Sequence, residues 1–296
     1  MAEAGDAFLV GAHLSVAGGY ERAVHRAVEL RCTALQIFTR NNVQWRAKPL
    51  QERQCLEFRR ALSDSAIGAV IAHANYLANL ASPERSKRER SIRVVVDELR
   101  RCARLGVAAL VLHPGSHQGE GERAGIRRVA AALRRVLRQT AALPVRLLLE
   151  TTAGQGSALG YRFEQLAAIL NEVAEPARTG VCIDTCHMFA AGYGLAPEAA
   201  YETTMEQLDR HVGLRQVYAV HLNDSARPRG SRVDRHAHIG RGAIGLDGFR
   251  YLVNDPHLCH LPMVIETPKR DHRGVDMDPV NLRVLRSLRR ASASTT

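Results

Sequence analysis

Apolar residues along this chain fall into short runs, and each run is followed by a stretch with helical periodicity. A short apolar run bounded by turn residues is typical of a buried strand, whereas apolar residues three or four positions apart predict an amphipathic helix. The predicted strands are 8–13, 33–39, 68–73, 108–113, 146–150, 179–184, 217–222 and 262–267. The clearest predicted helices are 18–30, 84–105, 127–139, 161–173 and 197–212.

The alternation of strands and helices indicates βαβ units and a parallel sheet. Eight such units within 296 residues predict a single-domain α/β fold, the (β/α)8 TIM barrel. An open doubly wound sheet is the alternative, and eight evenly spaced units favour closure over it. We place the barrel domain at residues 1–290 and expect the small polar residues 291–296 to form a disordered tail.

Imidazoles and carboxylates stand at the ends of the predicted strands, in runs such as VIAH, LVLH, LLLE, CIDTCH, YAVH and MVIE. Such groups are costly to bury unless they are paired, and the C-terminal strand ends of a barrel meet on the face that carries active sites. Both residue types are suitable ligands for zinc and similar ions. The sequence therefore predicts a metal site with nine candidate ligands: His73, His113, Glu150, Asp184, His187, His221, Asp234, His236 and Glu266.

Nine ligands exceed the four of one zinc site, so they indicate a cluster of ions. Glu150 comes from a central strand and is a candidate to bridge two ions. The DTCH stretch (184–187) places two ligands three residues apart, and DRH (234–236) places two ligands two apart, which an extended loop would aim the same way. Three further histidines stay outside the predicted ligand set, the first two as residues that line the site and the third as ambiguous: His13, His117 and His238.

Charge and composition narrow the possible partners and location. The chain has 41 basic and 30 acidic residues, and a net charge of +11 suits a polyanion such as nucleic acid. Arginine-rich helix faces such as 127–139 give a simpler explanation, because they are ordinary solvated surfaces. With neither a membrane-span run nor a signal peptide, we expect a cytoplasmic protein with reduced cysteines and no membrane partner.

Clustered divalent ions recur in phosphodiester hydrolysis, where they lower the pKa of a water molecule and stabilise a departing oxygen. Ser116 lacks the G-x-S-x-G context of a nucleophile, and the cysteines lack a convincing histidine partner. Two alternatives stay open. One is a metal-dependent sugar isomerase or epimerase on the same barrel, which would not need the DRH loop. The other is a non-catalytic DNA-lesion binder with structural zinc, although such zinc sites are often cysteine-rich.

Several long motifs, distributed over nearly the whole chain, resemble the endonuclease IV family of apurinic/apyrimidinic (AP) endonucleases. They are GAHLSVAGG (11–19), LQIFTRN (35–41), HANYLANLASP (73–83), LVLHPGSH (110–117), LLETTAGQG (148–156), CIDTCHMFAAGY (182–193), VHLNDS (220–225), DRHAHIGRGAIG (234–245) and IETP (265–268). This resemblance implies a (β/α)8 barrel with three zinc ions, at some of which manganese could substitute.

The resemblance also assigns the nine candidates to three sites. It implies that the first ion is held by His73, His113 and Glu150, the second by Glu150, Asp184, His221 and Glu266, and the third by His187, Asp234 and His236. Glu150 would bridge the first two ions. Glu150 and Glu266 are accordingly the carboxylates that we expect to be catalytic.

The implied reaction is hydrolysis of the phosphodiester 5′ to an abasic site in duplex DNA. It leaves a 3′-hydroxyl and a 5′-deoxyribose phosphate, and the resemblance also implies repair of blocked 3′ ends by a monomeric enzyme. Extruding a nucleotide is cheapest where base pairing is already lost. Tyr76 and Leu77 match the family's wedge positions, and Arg40 and Trp45 are further candidates for DNA contact. Val43 departs from the family pattern, because some members have arginine there.

Overall fold

Eight parallel strands close into a barrel within residues 8–290, the part of the chain that this computed structural model describes. The barrel strands are β1 (Val10–His13), β2 (Ala34–Phe38), β3 (Ala69–His73), β4 (Ala109–Leu112), β5 (Arg146–Glu150), β6 (Thr179–Asp184), β7 (Val217–His221) and β10 (Met263–Ile265). Between β7 and β10 in the chain, β8 (Asp224–Ser225) and β9 (His236–Ala237) form a separate short antiparallel pair. Around the barrel the order is β1-β10-β7-β6-β5-β4-β3-β2. The predicted single-domain (β/α)8 barrel is confirmed, and the open sheet is excluded.

Helices connect the strands and form the outer layer. They are α1 (Tyr20–Glu29), α2 (Glu52–Ser63), α3 (Arg85–Leu105), α4 (Glu122–Gln139), α5 (Phe163–Val173), α6 (Thr185–Ala191), α7 (Glu198–His211), α8 (Gly245–Asn254) and α9 (Asp278–Leu288). Each of the five helices named from the sequence is present, with α4 starting five residues earlier than predicted. Within residues 8–290, no helix has the length and apolar character that crossing a membrane requires. The predicted tail at 291–296 lies outside the described residues.

The inside of the barrel is filled by small and aliphatic side chains, most of them one per strand. This inner cluster is separate from the larger core that lies between the strands and the helices. Because successive side chains of a strand point to opposite faces, residues two apart point the same way. The inner cluster consists of Ala34, Ile71, Ala109, Val111, Leu148, Cys182, Ala219 and Val264.

The inward positions at the C-terminal strand ends are polar. They lie two residues beyond a member of the inner cluster, so the same alternation that fills the barrel also directs them toward its axis. Strand register therefore brings together groups that are far apart in sequence. These inward polar residues are Gln36, His73, His113, Glu150, Asp184, His221 and Glu266.

The carboxyl group of Glu98, on α3, is buried away from the barrel axis. Glu98 is 0% exposed, and its Oε1 accepts a hydrogen bond from the backbone N–H of Asn75 at 3.0 Å. Its Oε2 is buried without a hydrogen-bond partner in the described part of the chain. Burial raises the pKa of Glu98 to about 8, although Arg40 and the Asn75 amide oppose the rise. The carboxyl group is therefore largely protonated at neutral pH.

The replacement Glu98→Gln should change the pH dependence of stability. The unfolded chain ionises Glu98 near its ordinary value of 4.5, so native stability falls as pH rises from there toward 8. The variant lacks this loss, and we expect its free energy of unfolding to exceed that of the parent by on the order of 4 kcal/mol at pH 8. The difference should shrink toward pH 5. Denaturant titrations of both proteins at several pH values measure it, and a pH-independent difference would contradict the assignment.

Candidate metal centre

The nine predicted ligands lie together at the C-terminal end of the barrel. They form groups in which the candidate ligand atoms are within 4.8 Å of one another. Glu150 belongs to two of these groups, and its Oε1 lies 3.2 Å from His187 Nδ1 of the third. The groups are His73 with His113 and Glu150; Glu150 with Asp184, His221 and Glu266; and His187 with Asp234 and His236.

Glu150 lies at the centre of the cluster and is fully buried. Its Oε2 is 2.9 Å from His73 Nε2 and 3.1 Å from His113 Nε2, and its Oε1 is 3.0 Å from His221 Nδ1. Burial by itself would raise the pKa of Glu150, but the imidazoles of His113 and His221 outweigh it and hold the pKa well below its usual range. The two oxygens thus face two different groups, as a bridging carboxylate requires.

The orientation of His73 and His187 is fixed from behind by backbone carbonyls. His73 Nδ1 donates to the carbonyl oxygen of Ala74 at 2.8 Å, and His187 Nδ1 donates to that of Thr151 at 2.9 Å. A carbonyl can only accept, so in both rings Nδ1 carries the hydrogen. The Nε2 atoms then face the cluster, and each can bind a metal ion once it carries no proton. Metal-binding histidines are held in this way by partners on their other nitrogen.

His221 and His236 follow the same principle. His221 Nε2 is 2.8 Å from Gln36 Oε1, which leaves Nδ1 for the cluster. His236 Nδ1 is 3.2 Å from the backbone oxygen of Glu266, and its Nε2 is buried with no hydrogen-bond partner among the described residues. A buried ring nitrogen that faces two carboxylates, Asp234 at 3.3 Å and Asp184 at 3.8 Å, fits a metal ligand. The donor set of imidazoles and carboxylates suits zinc.

Local structure after β6 positions the third group. Asp184 caps α6, because its Oδ1 accepts the backbone N–H of His187 at 2.9 Å. The β8–β9 pair, in which Ser225 is opposite His236, carries the other side of the group. Asp234 Oδ2 is 3.1 Å from His187 Nε2, and its Oδ1 is 3.3 Å from His236 Nε2. Asp234 and His236 therefore point the same way, as their spacing predicts.

Cys186 is an additional candidate, because it lies within 4.8 Å of Asp184 and His236. Its Sγ is 3.6 Å from the carbonyl oxygen of Arg235, to which the thiol donates. Burial raises the pKa of Cys186 to about 12, and the thiolate is the form that binds metals. The imidazoles and carboxylates are therefore the better ligand set.

Two residues that the sequence analysis missed support the cluster. Gln36 is fully buried, and its Nε2 donates to Glu266 Oε1 at 2.6 Å while its Oε1 faces His221. Asn223 Nδ2 donates to Asp184 Oδ2 at 2.7 Å, and its Oδ1 accepts the backbone N–H of Glu266 at 2.7 Å. Gln36 could have been identified as the single polar residue of the ALQIF strand.

The three histidines set aside from the ligand set are found in different surroundings. His13 Nδ1 is 3.1 Å from Glu266 Oε1, so this ring lies against the cluster. His117 Nδ1 accepts the backbone N–H of Gly121. His238 Nδ1 is 3.3 Å from the side-chain nitrogen of Asn281. Among residues 8–290, none of the three histidines belongs to a candidate metal group.

A cleft of about 260 Å³ opens onto the cluster, and its wall includes Tyr76, His113, Ser116, His187 and Asp234. Tyr76 is 52% exposed, and its ring centroid is 5.2 Å from that of His73. Leu77 is half-buried. The exposed rim of the cluster is therefore formed partly by an aromatic side chain.

Arg40 does not have the exposure expected of a residue that contacts DNA. Its side chain is 3% exposed, and its guanidinium donates to Asp97 at 3.0 Å and to the carbonyl oxygen of Trp45 at 2.6 Å. The prediction of direct DNA contact by Arg40 is corrected to that of a loop anchor, because its donors are committed within the protein. Trp45 is half-buried under the Arg90 guanidinium, which lies 5.0 Å from its ring centroid.

Comparison with known proteins identifies the family to which this chain belongs. The family model described as "Xylose isomerase-like TIM barrel" matches residues 24–290. A protein of Chloroflexus aggregans named "Probable endonuclease 4" is 50% identical over 286 residues, which cover 96% of this chain and 99% of the relative. The crystal structure of endonuclease IV from Thermus thermophilus superposes with a TM-score of 0.83 at 38% identity, covering 94% of this chain and 98% of that one.

A D-tagatose 3-epimerase-like protein also superposes, with a TM-score of 0.72 over 94% of this chain and 96% of that one. Its identity of 17% shows a shared barrel and nothing further. The relatives with higher sequence identity are named as endonucleases, and they align with this chain over nearly their full length. The chain therefore belongs to the endonuclease IV family of the xylose isomerase-like TIM barrels.

Proposed function

We propose that this DNA-cleaving hydrolase is a zinc-dependent AP endonuclease of base excision repair. It would hydrolyse the phosphodiester 5′ to an abasic site in duplex DNA, leaving a 3′-hydroxyl and a 5′-deoxyribose phosphate, and would also process blocked 3′ ends. We propose three zinc ions per chain and action as a monomer in the cytoplasm. The observation that carries the proposal is the meeting of three ligand groups around buried Glu150 in a chain of the endonuclease IV family.

Bound ions would supply a water molecule of lowered pKa and would neutralise charge on the phosphoryl oxygens. The protein keeps Glu150 and Glu266 ionised: burial would raise the pKa of Glu266, but His221 and His13 outweigh it and lower the pKa far below its usual range. Gln36 holds Glu266 in place. His113 and Asp234, with side chains 36% and 43% exposed, mark the side from which a phosphodiester can approach.

Tyr76 lies on the same side of the cleft as His113 and Asp234, where its aromatic ring can contact a nucleotide that lacks a base. Leu77 follows it on the same loop, and Val43 is 62% exposed on the neighbouring loop. Apolar side chains of this kind insert between base steps in proteins that kink duplex DNA. We therefore assign lesion contact to Tyr76, Leu77 and Val43, with Trp45 in support.

A sugar epimerase is the alternative, since epimerase-like barrels share the fold. The third ligand group, His187 with Asp234 and His236, favours the nuclease, because an epimerase would not need the DRH loop. The net charge of +11 also favours a polyanionic substrate over a neutral sugar.

Purified protein should contain three zinc ions per chain and should cut a duplex immediately 5′ to a single tetrahydrofuran abasic analogue. Elemental analysis and gel electrophoresis measure these results, with the same duplex lacking the analogue as control. Chelator should abolish cleavage slowly, because Glu150, Asp184 and His221 are all 0% exposed. Two ions per chain together with ketose epimerisation would refute the nuclease.

The replacement Glu150→Gln should lower cleavage of the abasic duplex by at least about 100-fold, because it replaces the charged carboxylate that two ligand groups share with a neutral amide. The measurement is single-turnover cleavage together with zinc content. Glu202→Gln, at an exposed position of α7, is the matched control and should cleave normally. Normal turnover of the Glu150 variant with full zinc content would disprove the assigned role.

The replacement Gln36→Met should weaken zinc retention about 10- to 100-fold while leaving every proposed ligand in place. The variant loses the 2.6 Å bond to Glu266 and the 2.8 Å bond to His221, so both ligands lose their orientation. Competition with a chromogenic chelator measures the effect. Unchanged retention would show that Gln36 does not support the centre.

A further inference from the structure

The β3–α3 loop, which borders the metal cleft, is tied to the neighbouring β2–α2 loop. The β2–α2 loop spans residues 39–51, and the β3–α3 loop spans residues 74–84. Asn75 is 3% exposed, and its Nδ2 donates to the carbonyl oxygens of Asn41 at 2.8 Å and Gln44 at 3.0 Å. The backbone N–H of Tyr76 donates to the carbonyl oxygen of Asn42 at 3.1 Å. Three hydrogen bonds thus cross between the loops.

Helix α3 fixes the β2–α2 loop from below. Asp97 Oδ2 accepts from Arg40 Nη1 at 3.0 Å and from Arg101 Nε at 2.8 Å. Arg40 in turn donates to the Trp45 carbonyl, and Arg101 Nη2 donates to the Lys48 carbonyl at 2.6 Å. One carboxylate thereby orients two guanidinium groups that hold this loop by its backbone.

The next residue of α3 fixes the β3–α3 loop. Glu98 accepts the backbone N–H of Asn75 at 3.0 Å, and its other oxygen is buried without a partner in the described chain. A buried polar atom without a partner is destabilising, so a carboxyl group at position 98 costs stability. We therefore attribute its presence to its hydrogen bond with Asn75, the residue that connects the two loops.

We propose that Asn75 and Glu98 are positioning residues that hold the two loops as one preorganised unit for recognition of the DNA lesion. The unit presents Tyr76, at the rim of the cleft, and Val43, on the adjoining loop, and these side chains are 52% and 62% exposed. Fixing these segments before binding removes the cost of ordering them in the complex. This inference rests on the proposed function and adds residues that touch neither substrate nor metal.

The variant Asn75→Asp isolates the cross-loop bonds. It keeps the Oδ1 that accepts the backbone N–H of Leu77 at 2.8 Å and loses both Nδ2 donations. We expect KM for the abasic duplex to rise about tenfold, from the added ordering cost, while kcat changes by less than about twofold. Zinc content should stay at the parent level, because the metal ligands are not altered.

Glu98 supplies a second, independent pair of variants. Glu98→Ala removes the acceptor for Asn75 and should raise KM in the same way. Glu98→Gln keeps an acceptor oxygen and should restore KM to near the parent value. A merely structural role would predict no such rescue linked to substrate binding.

Asn254→Asp is the matched control. Asn254 Nδ2 also donates to two backbone carbonyls, those of Arg250 at 2.7 Å and Leu288 at 2.9 Å, and its Oδ1 accepts one backbone N–H, that of Arg290, but it lies at the end of α8. This control should lose thermal stability comparably and keep its KM. Parent-like KM in Asn75→Asp, or an equal rise in the control, would overturn the inference. Failure of the parent protein itself to cut the abasic duplex would instead refute the proposed function.

Discussion

The site depends on the electrostatic interaction between the buried carboxylate of Glu150 and the groups that surround it. A carboxylate without solvent is costly unless positive charge surrounds it. Three imidazoles lie within 3.1 Å of its oxygens and hold its pKa down, which shows how strongly this position favours cationic neighbours. Metal ions meet the same demand with greater charge, so the centre is electrostatically prepared for them. The surrounding histidines therefore supply, directly or through bound ions, the positive charge that the buried carboxylate of Glu150 requires.

Strand register is the constraint that makes such a centre possible. Inward positions two residues apart alternate between a small or aliphatic side chain deeper in the barrel and a polar one at its end, as in Leu148 followed by Glu150 and Ala219 followed by His221. A shift of one residue in any strand would turn its ligand outward, into the apolar layer beneath the helices. Packing of the barrel interior and placement of the ligands are therefore specified by the same pattern.

The sequence predicts this part of the molecule well because the pattern is local. Apolar runs with a terminal imidazole or carboxylate are visible without knowledge of the partners, and all nine predicted ligands lie in the candidate groups. The metals themselves remain a prediction. Gln36 and Asn223 were missed because an amide in a strand or loop has no distinctive chemistry until its partners are known. Gln36 lies two residues beyond Ala34, as His73 lies two residues beyond Ile71, so the alternation of inward positions would have pointed to it.

The positions of the loops near the cleft depend on long-range contacts and not on a local sequence pattern, as Arg40 illustrates. An arginine in a polar loop of a basic protein suggests a DNA contact, yet its guanidinium is buried against Asp97, 57 residues away in sequence. No local pattern reports such a long-range pairing. The candidate metal ligands are thus encoded strand by strand, whereas the shape of the surface that we propose for lesion contact depends on helix α3, through Asp97 for one loop and Glu98 for the other. Under the proposed function, we expect substitutions on that helix to alter DNA recognition while leaving the candidate metal ligands unchanged.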